Sequence, residues 1–172
     1  MENERKTDRS ADMGMDEHRL SDILHASQIK ATDIYETPPQ IIWIDNSTIA
    51  TLGNFSASTG KAKSKKTFNV SALVAASLAG KQVLNYRAHL PEGKQRILYV
   101  DTEQSRFHCR SVLERILRLA GLPTTTDPEN LDFFCLREYS PSVRVEVIDY
   151  ALRQNKGYGL VIIDGIRDLM LD

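Results

Sequence analysis

The sequence predicts an α/β fold, a mostly parallel sheet with helices on both faces, and three observations predict it. Compact apolar runs recur at Ile97-Leu98-Tyr99-Val100, Leu131-Asp132-Phe133-Phe134-Cys135-Leu136 and Leu160-Val161-Ile162-Ile163, the mark of strands buried on both faces. Between them, apolar residues fall at helical spacing: Val112, Leu113, Ile116, Leu117 and Ala120, then Val143, Val147, Ile148, Ala151 and Leu152. Turn residues punctuate the joins. Strand–helix alternation of this kind builds a parallel sheet. Right-handed crossovers then bring the C-terminal ends of its strands to one edge, where ligands bind.

Taken in order, residues 1–18 are polar and mixed in charge. They bury too little to offset their ordering entropy, so a disordered tail is expected. Residues 19–40 read as an N-terminal helix and linker: Leu20, Ile23, Leu24 and Ile29 give residues 19–31 a partial apolar face, and Pro38-Pro39 stiffens the connector. The main domain spans 41–172. It opens with a small β hairpin, Ile41-Ile42-Trp43-Ile44 and Thr48-Ile49-Ala50-Thr51-Leu52 around Asp45-Asn46. A strand is expected from Asn54 to Ser58. After a loop comes a helix with Phe68, Val70, Leu73, Val74 and Leu78, stopped at Gly80. Val83 to Leu90 reads either as short strands or as irregular chain, and Pro91-Glu92-Gly93-Lys94 as a turn. Ser105 is a good N-cap for the next helix, closed by Gly121-Leu122-Pro123. Ser140-Pro141 opens the last helix and Lys156-Gly157 ends it.

Composition narrows the function classes. A chain of 172 residues suits one domain with a tail. The net charge of −1 carries no global signature for nucleic acid, although local basic patches remain open. No apolar run spans a bilayer, and the N-terminus lacks the apolar core of a secretory signal. A cytoplasmic protein without a membrane partner is expected. Cys109 and Cys135 lack metal-ligand spacing and read as free thiols of a reducing cytosol. His18, His25, His89 and His108 form no ligand cluster.

The chemistry concentrates in Gly60-Lys61-Ala62-Lys63-Ser64-Lys65-Lys66-Thr67. This octet nearly fits the phosphate-loop pattern GxxxxGK[ST], with Lys65 where the second Gly belongs. Such a loop aims backbone N–H groups at an anion, its Lys reaches the β/γ-phosphates, and its hydroxyl binds Mg²⁺. Taken alone, the octet fits a basic surface loop before an ordinary helix. Two carboxylates change the balance: Glu103 follows one apolar run and Asp164 ends another. An acid at a strand tip is usually solvated. Three pieces in this order within one α/β pattern point to a nucleoside-triphosphate site.

These segments resemble the RecA-type P-loop ATPase core, in particular its hexameric-helicase and RepA-like branch, as carried by plasmids and mobilisable elements. Arg96-Ile97-Leu98-Tyr99-Val100-Asp101-Thr102-Glu103-Gln104-Ser105 resembles the strand bearing the catalytic carboxylate. Gly159-Leu160-Val161-Ile162-Ile163-Asp164-Gly165-Ile166-Arg167-Asp168-Leu169 resembles the Mg²⁺-associated strand. The resemblance runs from about residue 48 onward and implies a RecA-like P-loop NTPase fold that hydrolyses ATP. Residues 60–67 would bind ATP, Lys66 holding the phosphates. Thr67 and Asp164 would position Mg²⁺, and Glu103 would orient the attacking water. The implied setting is a homo-oligomeric ring acting on DNA in replication or mobilisation.

Two departures set expectations of their own. Lys61, Lys63, Lys65 and Lys66 repel one another without an anion, so the empty loop is expected to be mobile or anion-bound. The resembling family continues with further strands, one of them between the phosphate-loop strand and the Asp164 strand. The chain is therefore expected to be the N-terminal part of a longer ATPase, or to have its sheet completed by a partner. Competing readings are a regulatory nucleotide-binding switch with little hydrolysis and a small-molecule kinase.

Overall fold

The structure, a computed structural model, describes residues 16–61 and 65–170. Contacts divide the chain into residues 1–37 and 38–172. In the first unit, α1 spans Glu17–Ser27. It starts earlier than the apolar pattern implies because the Asp16 carboxylate accepts the His18 N–H at 3.4 Å. Glu17 and His18 are thus helical rather than part of a disordered tail, and Ile29 falls outside the helix. No residue of α1 is buried.

The second unit begins with the expected hairpin, β1 (Gln40–Ile44) and β2 (Ser47–Thr51), paired antiparallel. The ambiguous stretch after Val83 resolves into β3 (Tyr86–Ala88), which pairs antiparallel with the other edge of β1. Helix α2 (Lys66–Ala79) lies between β2 and β3 in sequence and ends on Gly80 at φ 60°. The remaining elements alternate: β4 (Arg96–Asp101), α3 (Arg106–Ala120), β5 (Leu131–Cys135), α4 (Pro141–Gln154) and β6 (Tyr158–Asp164). These three strands form a parallel sheet in the order β5-β4-β6. A short 3-10 turn, Ile166–Leu169, follows.

Alternation of side chains along β4 explains the layering. Ile97 and Tyr99 face Ala72 and Val74 of α2 and Val112 and Ile116 of α3, in a cluster that also takes Ile42 and Tyr86 from the antiparallel sheet. Leu98 and Val100 face the other way, onto Leu136, just after β5, and Ile148 of α4. The molecule has the α/β fold of the RecA-like P-loop class, with a small antiparallel sheet beside the parallel one.

Three expectations need correction. Residues 54–58 are irregular, not a strand, and Phe55 is 96% exposed. Strand character comes from a neighbour's hydrogen-bond ladder. Among the described residues no strand pairs with this segment, which is tied instead to its own hairpin by Asn54 Nδ2 on Thr51 Oγ1 (2.7 Å) and Ser56 Oγ on the Ile49 carbonyl (2.6 Å). The apolar run of β6 is not buried on both faces: helices lie on both sides of the parallel sheet and bury central β4, whereas no residue of β6 is fully buried. Among the described residues β6 pairs only with β4, which leaves its outer edge open. Ser105 occupies the N-cap position of α3 without capping it by a side-chain hydrogen bond, its hydroxyl lying 2.9 Å from the His108 ring.

Candidate nucleotide site

The carboxylate side of the site is set by register. Asp101 of β4 and Asp164 of β6 are direct partners at the C-terminal edge of the sheet. Chain direction and pairing therefore bring two acids together from positions far apart in sequence, and the side chains around each decide what it does.

Asp164 faces the start of α2. Its Oδ2 accepts the Thr67 hydroxyl at 3.5 Å and the Tyr99 hydroxyl at 3.1 Å. Tyr99 is fully buried and stacked on Phe133, ring centroids 4.3 Å apart, so its hydroxyl is aimed by packing. Burial pushes the Asp164 carboxyl up from its ordinary value; the Tyr99 hydroxyl, the Thr67 hydroxyl and the Lys66 charge offset part of this, while Asp101 adds to it. A carboxylate whose ionised form is disfavoured by burial is suited to receive a cation.

Asp101 is spent differently. It is fully buried, and its Oδ1 accepts the N–H groups of Glu103 (3.0 Å) and Gln104 (2.8 Å), while Oδ2 accepts the Gln104 side-chain amide (2.8 Å). This arrangement fixes the turn on which Glu103 stands. Glu103 itself is exposed, in a recess of about 660 Å³ bordered by Arg137 and Arg167, with room for water at its carboxylate. Partial burial, then the charges of Asp164, Asp168 and Asp101, push its carboxyl up, and Lys66 pulls it down. Glu103 thus feels both Lys66 and Asp164.

On the phosphate side, Lys66 Nζ donates to the Gly60 carbonyl at 2.8 Å and closes the loop on itself. Lys65, in the place of the second motif glycine, sits at φ 61° and ψ 26° as the N-cap of α2. That left-handed conformation is the reason the motif uses glycine here. At this one position the backbone is left-handed although the residue is not glycine. Gly60 and Lys61 are exposed. Ala62, Lys63 and Ser64, named with them as phosphate-binding residues, lie outside the described residues.

The oxygen donors of Thr67 and Asp164 suit Mg²⁺, which prefers hard oxygen ligands and takes most of its shell from phosphate and water. No group of three or more His, Cys, Asp or Glu placed to hold a metal occurs among the described residues, so any cation here would need the nucleotide's oxygens as well. Both cysteines are free thiols. Sequence reasoning missed Tyr99 and the clamping role of Asp101. Each left a signal: a Tyr inside a buried apolar strand must find a partner for its hydroxyl, and an Asp opening a tight turn commonly binds the N–H groups just after it.

A phosphate loop with its Lys and Thr at a helix start, facing an acid at the tip of a parallel strand, defines a P-loop nucleotide-binding ATPase domain. A family model described as an AAA domain matches residues 20–171, and the chain belongs to that family. No curated protein and no solved structure matches it. No helix among the described residues is long and apolar enough to cross a membrane.

Proposed function

We propose that this protein binds and hydrolyses ATP with Mg²⁺, in the cytoplasm, as a DNA-associated ATPase of the RepA-like helicase type that forms a homo-oligomeric ring. The observation that carries the ATP reading is the approach of Thr67 to Asp164, 3.5 Å across 97 positions of sequence. The DNA and ring parts rest on the sequence resemblance of the Glu103 and Asp164 segments.

Residues 60–67 cradle the phosphates, and Lys66 exchanges its bond to the Gly60 carbonyl for the β/γ-phosphate oxygens. Thr67 and Asp164 would hold Mg²⁺, which would supply charge neutralisation at the phosphates. Tyr99 keeps the Asp164 carboxylate turned toward Thr67. Glu103 orients the attacking water and polarises its O–H bond. The protein's part is positioning and electrostatic stabilisation rather than covalent chemistry.

Two substitutions test this. Lys66→Ala is expected to abolish ATP binding, followed by titration with a fluorescent ATP analogue. Glu103→Gln is expected to retain binding and to lower phosphate release by about 10²-fold or more, the order seen when one preorganised group is removed. Unchanged hydrolysis in either variant defeats the role assignment. Single-stranded DNA is expected to stimulate turnover; turnover indifferent to DNA, or nucleotide binding with none, favours a nucleotide-operated switch.

A further inference from the structure

We infer that Thr102 is a positioning residue for Glu103: its buried hydroxyl locks the Glu103 turn to the segment after Asp164 and so sets the spacing between the two functional carboxylates. The inference rests on the ATPase reading above and goes beyond it, because nothing in the phosphate-loop pattern assigns a role to this residue.

Thr102 stands between the clamp residue Asp101 and Glu103, and it is 1% exposed. Its N–H extends the β4–β6 ladder by one bond, to the Asp164 carbonyl at 3.0 Å. Its hydroxyl lies 2.8 Å from the Gly165 carbonyl, 3.1 Å from the Asp164 carbonyl and 3.2 Å from Asp168 Oδ2. A hydroxyl donates one proton, so it serves these acceptors one at a time, and all of them belong to the segment that carries Asp164. Glu103 is thereby held twice: its own N–H donates to the Asp101 carboxylate, and the preceding residue, Thr102, is bonded to the segment that carries Asp164.

The acceptors are held in their turn. Arg144 donates from Nη1 to the Asp168 carbonyl (2.8 Å), from Nε to Leu136 O (3.0 Å) and from Nη2 to Arg137 O (2.7 Å). Asp168 is thus tied to the end of β5 and to α4. Gly165, at φ +98°, is the contact point: a Cβ there would overlap the Thr102 hydroxyl and come within 2.7 Å of Glu103 Cγ. The base of the Glu103 side chain, at Cγ, thus lies close against the Gly165 backbone, while its carboxylate reaches the open recess. A lost bond at this contact shifts the carboxylate relative to the phosphates, and misplacement by about 1 Å can cost about 10²-fold in rate.

The experiment compares Thr102→Ser, Thr102→Ala and Thr102→Val in the full chain by steady-state ATP turnover with and without Glu103→Gln. Ser and Ala differ by the hydroxyl alone and neither overfills the site; Val keeps the shape of Thr. The expected result is near-wild-type turnover in Ser, kcat lower by about 10-fold or more in Ala and Val with KM for ATP within about twofold, and no further loss when Ala is added to Glu103→Gln, since groups acting as a unit are non-additive. If Val fails to fold, the Ser–Ala pair decides. Equal kcat in Ser and Ala, or a loss that persists undiminished on the Glu103→Gln background, overturns the positioning role while leaving the ATPase reading intact. A wild-type chain that binds ATP and releases no phosphate overturns both.

Discussion

Strands β4 and β6 are neighbours, and each is an apolar run ending in aspartate, yet the two acids do different work. Asp101 draws its partners from residues two and three positions away. Asp164 draws them from Thr67 and Tyr99, 97 and 65 positions away. Local partners shape a turn. Distant partners assemble a site, because only the folded sheet brings them together. The strand that is buried on both faces thus carries the structural acid, and β6, which among the described residues pairs on one side only, carries the acid proposed to meet the ligand.

The sharpest way to break this comparison is to neutralise each acid in turn. Asp164→Asn is expected to lower Mg²⁺-dependent ATP turnover by at least about 10²-fold, as for other preorganised charges, with thermal stability unchanged or raised. The sign follows from burial, which holds the Asp164 carboxyl above its ordinary value and so makes its charge a cost to the fold. Asp101→Ala should act in the opposite sense. It leaves the Glu103 and Gln104 N–H groups without their acceptor and opens a void beneath the turn, for a loss of about 2–4 kcal/mol in urea unfolding. Equal stability losses in the two variants would remove the distinction.

A smaller effect isolates one of the distant partners. Tyr99→Phe keeps the stack on Phe133 and deletes the hydroxyl that aims Asp164. The expectation is a loss of about 1 kcal/mol in stability, together with a several-fold increase in the Mg²⁺ concentration giving half-maximal turnover. An unchanged Mg²⁺ requirement would show that Thr67 alone orients the carboxylate.

The same contrast between local and distant partners explains what was legible in the sequence. The series from β4 to β6 was readable because each strand is a compact apolar run and each helix has a periodic face between Gly, Ser and Pro punctuation. Lys66, Thr67, Glu103 and Asp164 were readable as positions in a pattern. Asn54–Ser58 was misread because its composition permits a strand, while the neighbour that would make it one is not encoded in those five residues. The division of labour between Asp101 and Asp164 was hidden for a similar reason: it depends on which N–H and hydroxyl groups the fold delivers to each carboxylate.

Lys65 offers the finest test, since it sets the backbone from which Thr67 reaches Asp164. The motif departure was visible in sequence, but its physical content is the φ of 61°. A non-glycine residue in this conformation costs roughly 1–2 kcal/mol, of which Lys65→Gly recovers part, because glycine also gives the unfolded chain more freedom. The net expectation is a gain of about 0.5–1 kcal/mol. Lys65→Ala supplies the control: it removes the same charge while keeping the strained backbone, so its stability should stay close to that of the parent. Both variants should lose the same small, salt-dependent increment of ATP affinity if Lys65 meets the phosphates only as a charge. A gain in stability confined to Gly, with equal affinity changes in Gly and Ala, separates the shape of the loop from its charge. Equal stability in the two would mean that the left-handed turn costs this protein nothing, and that the helix bearing Thr67 is placed by its packing on α3 and the strands alone.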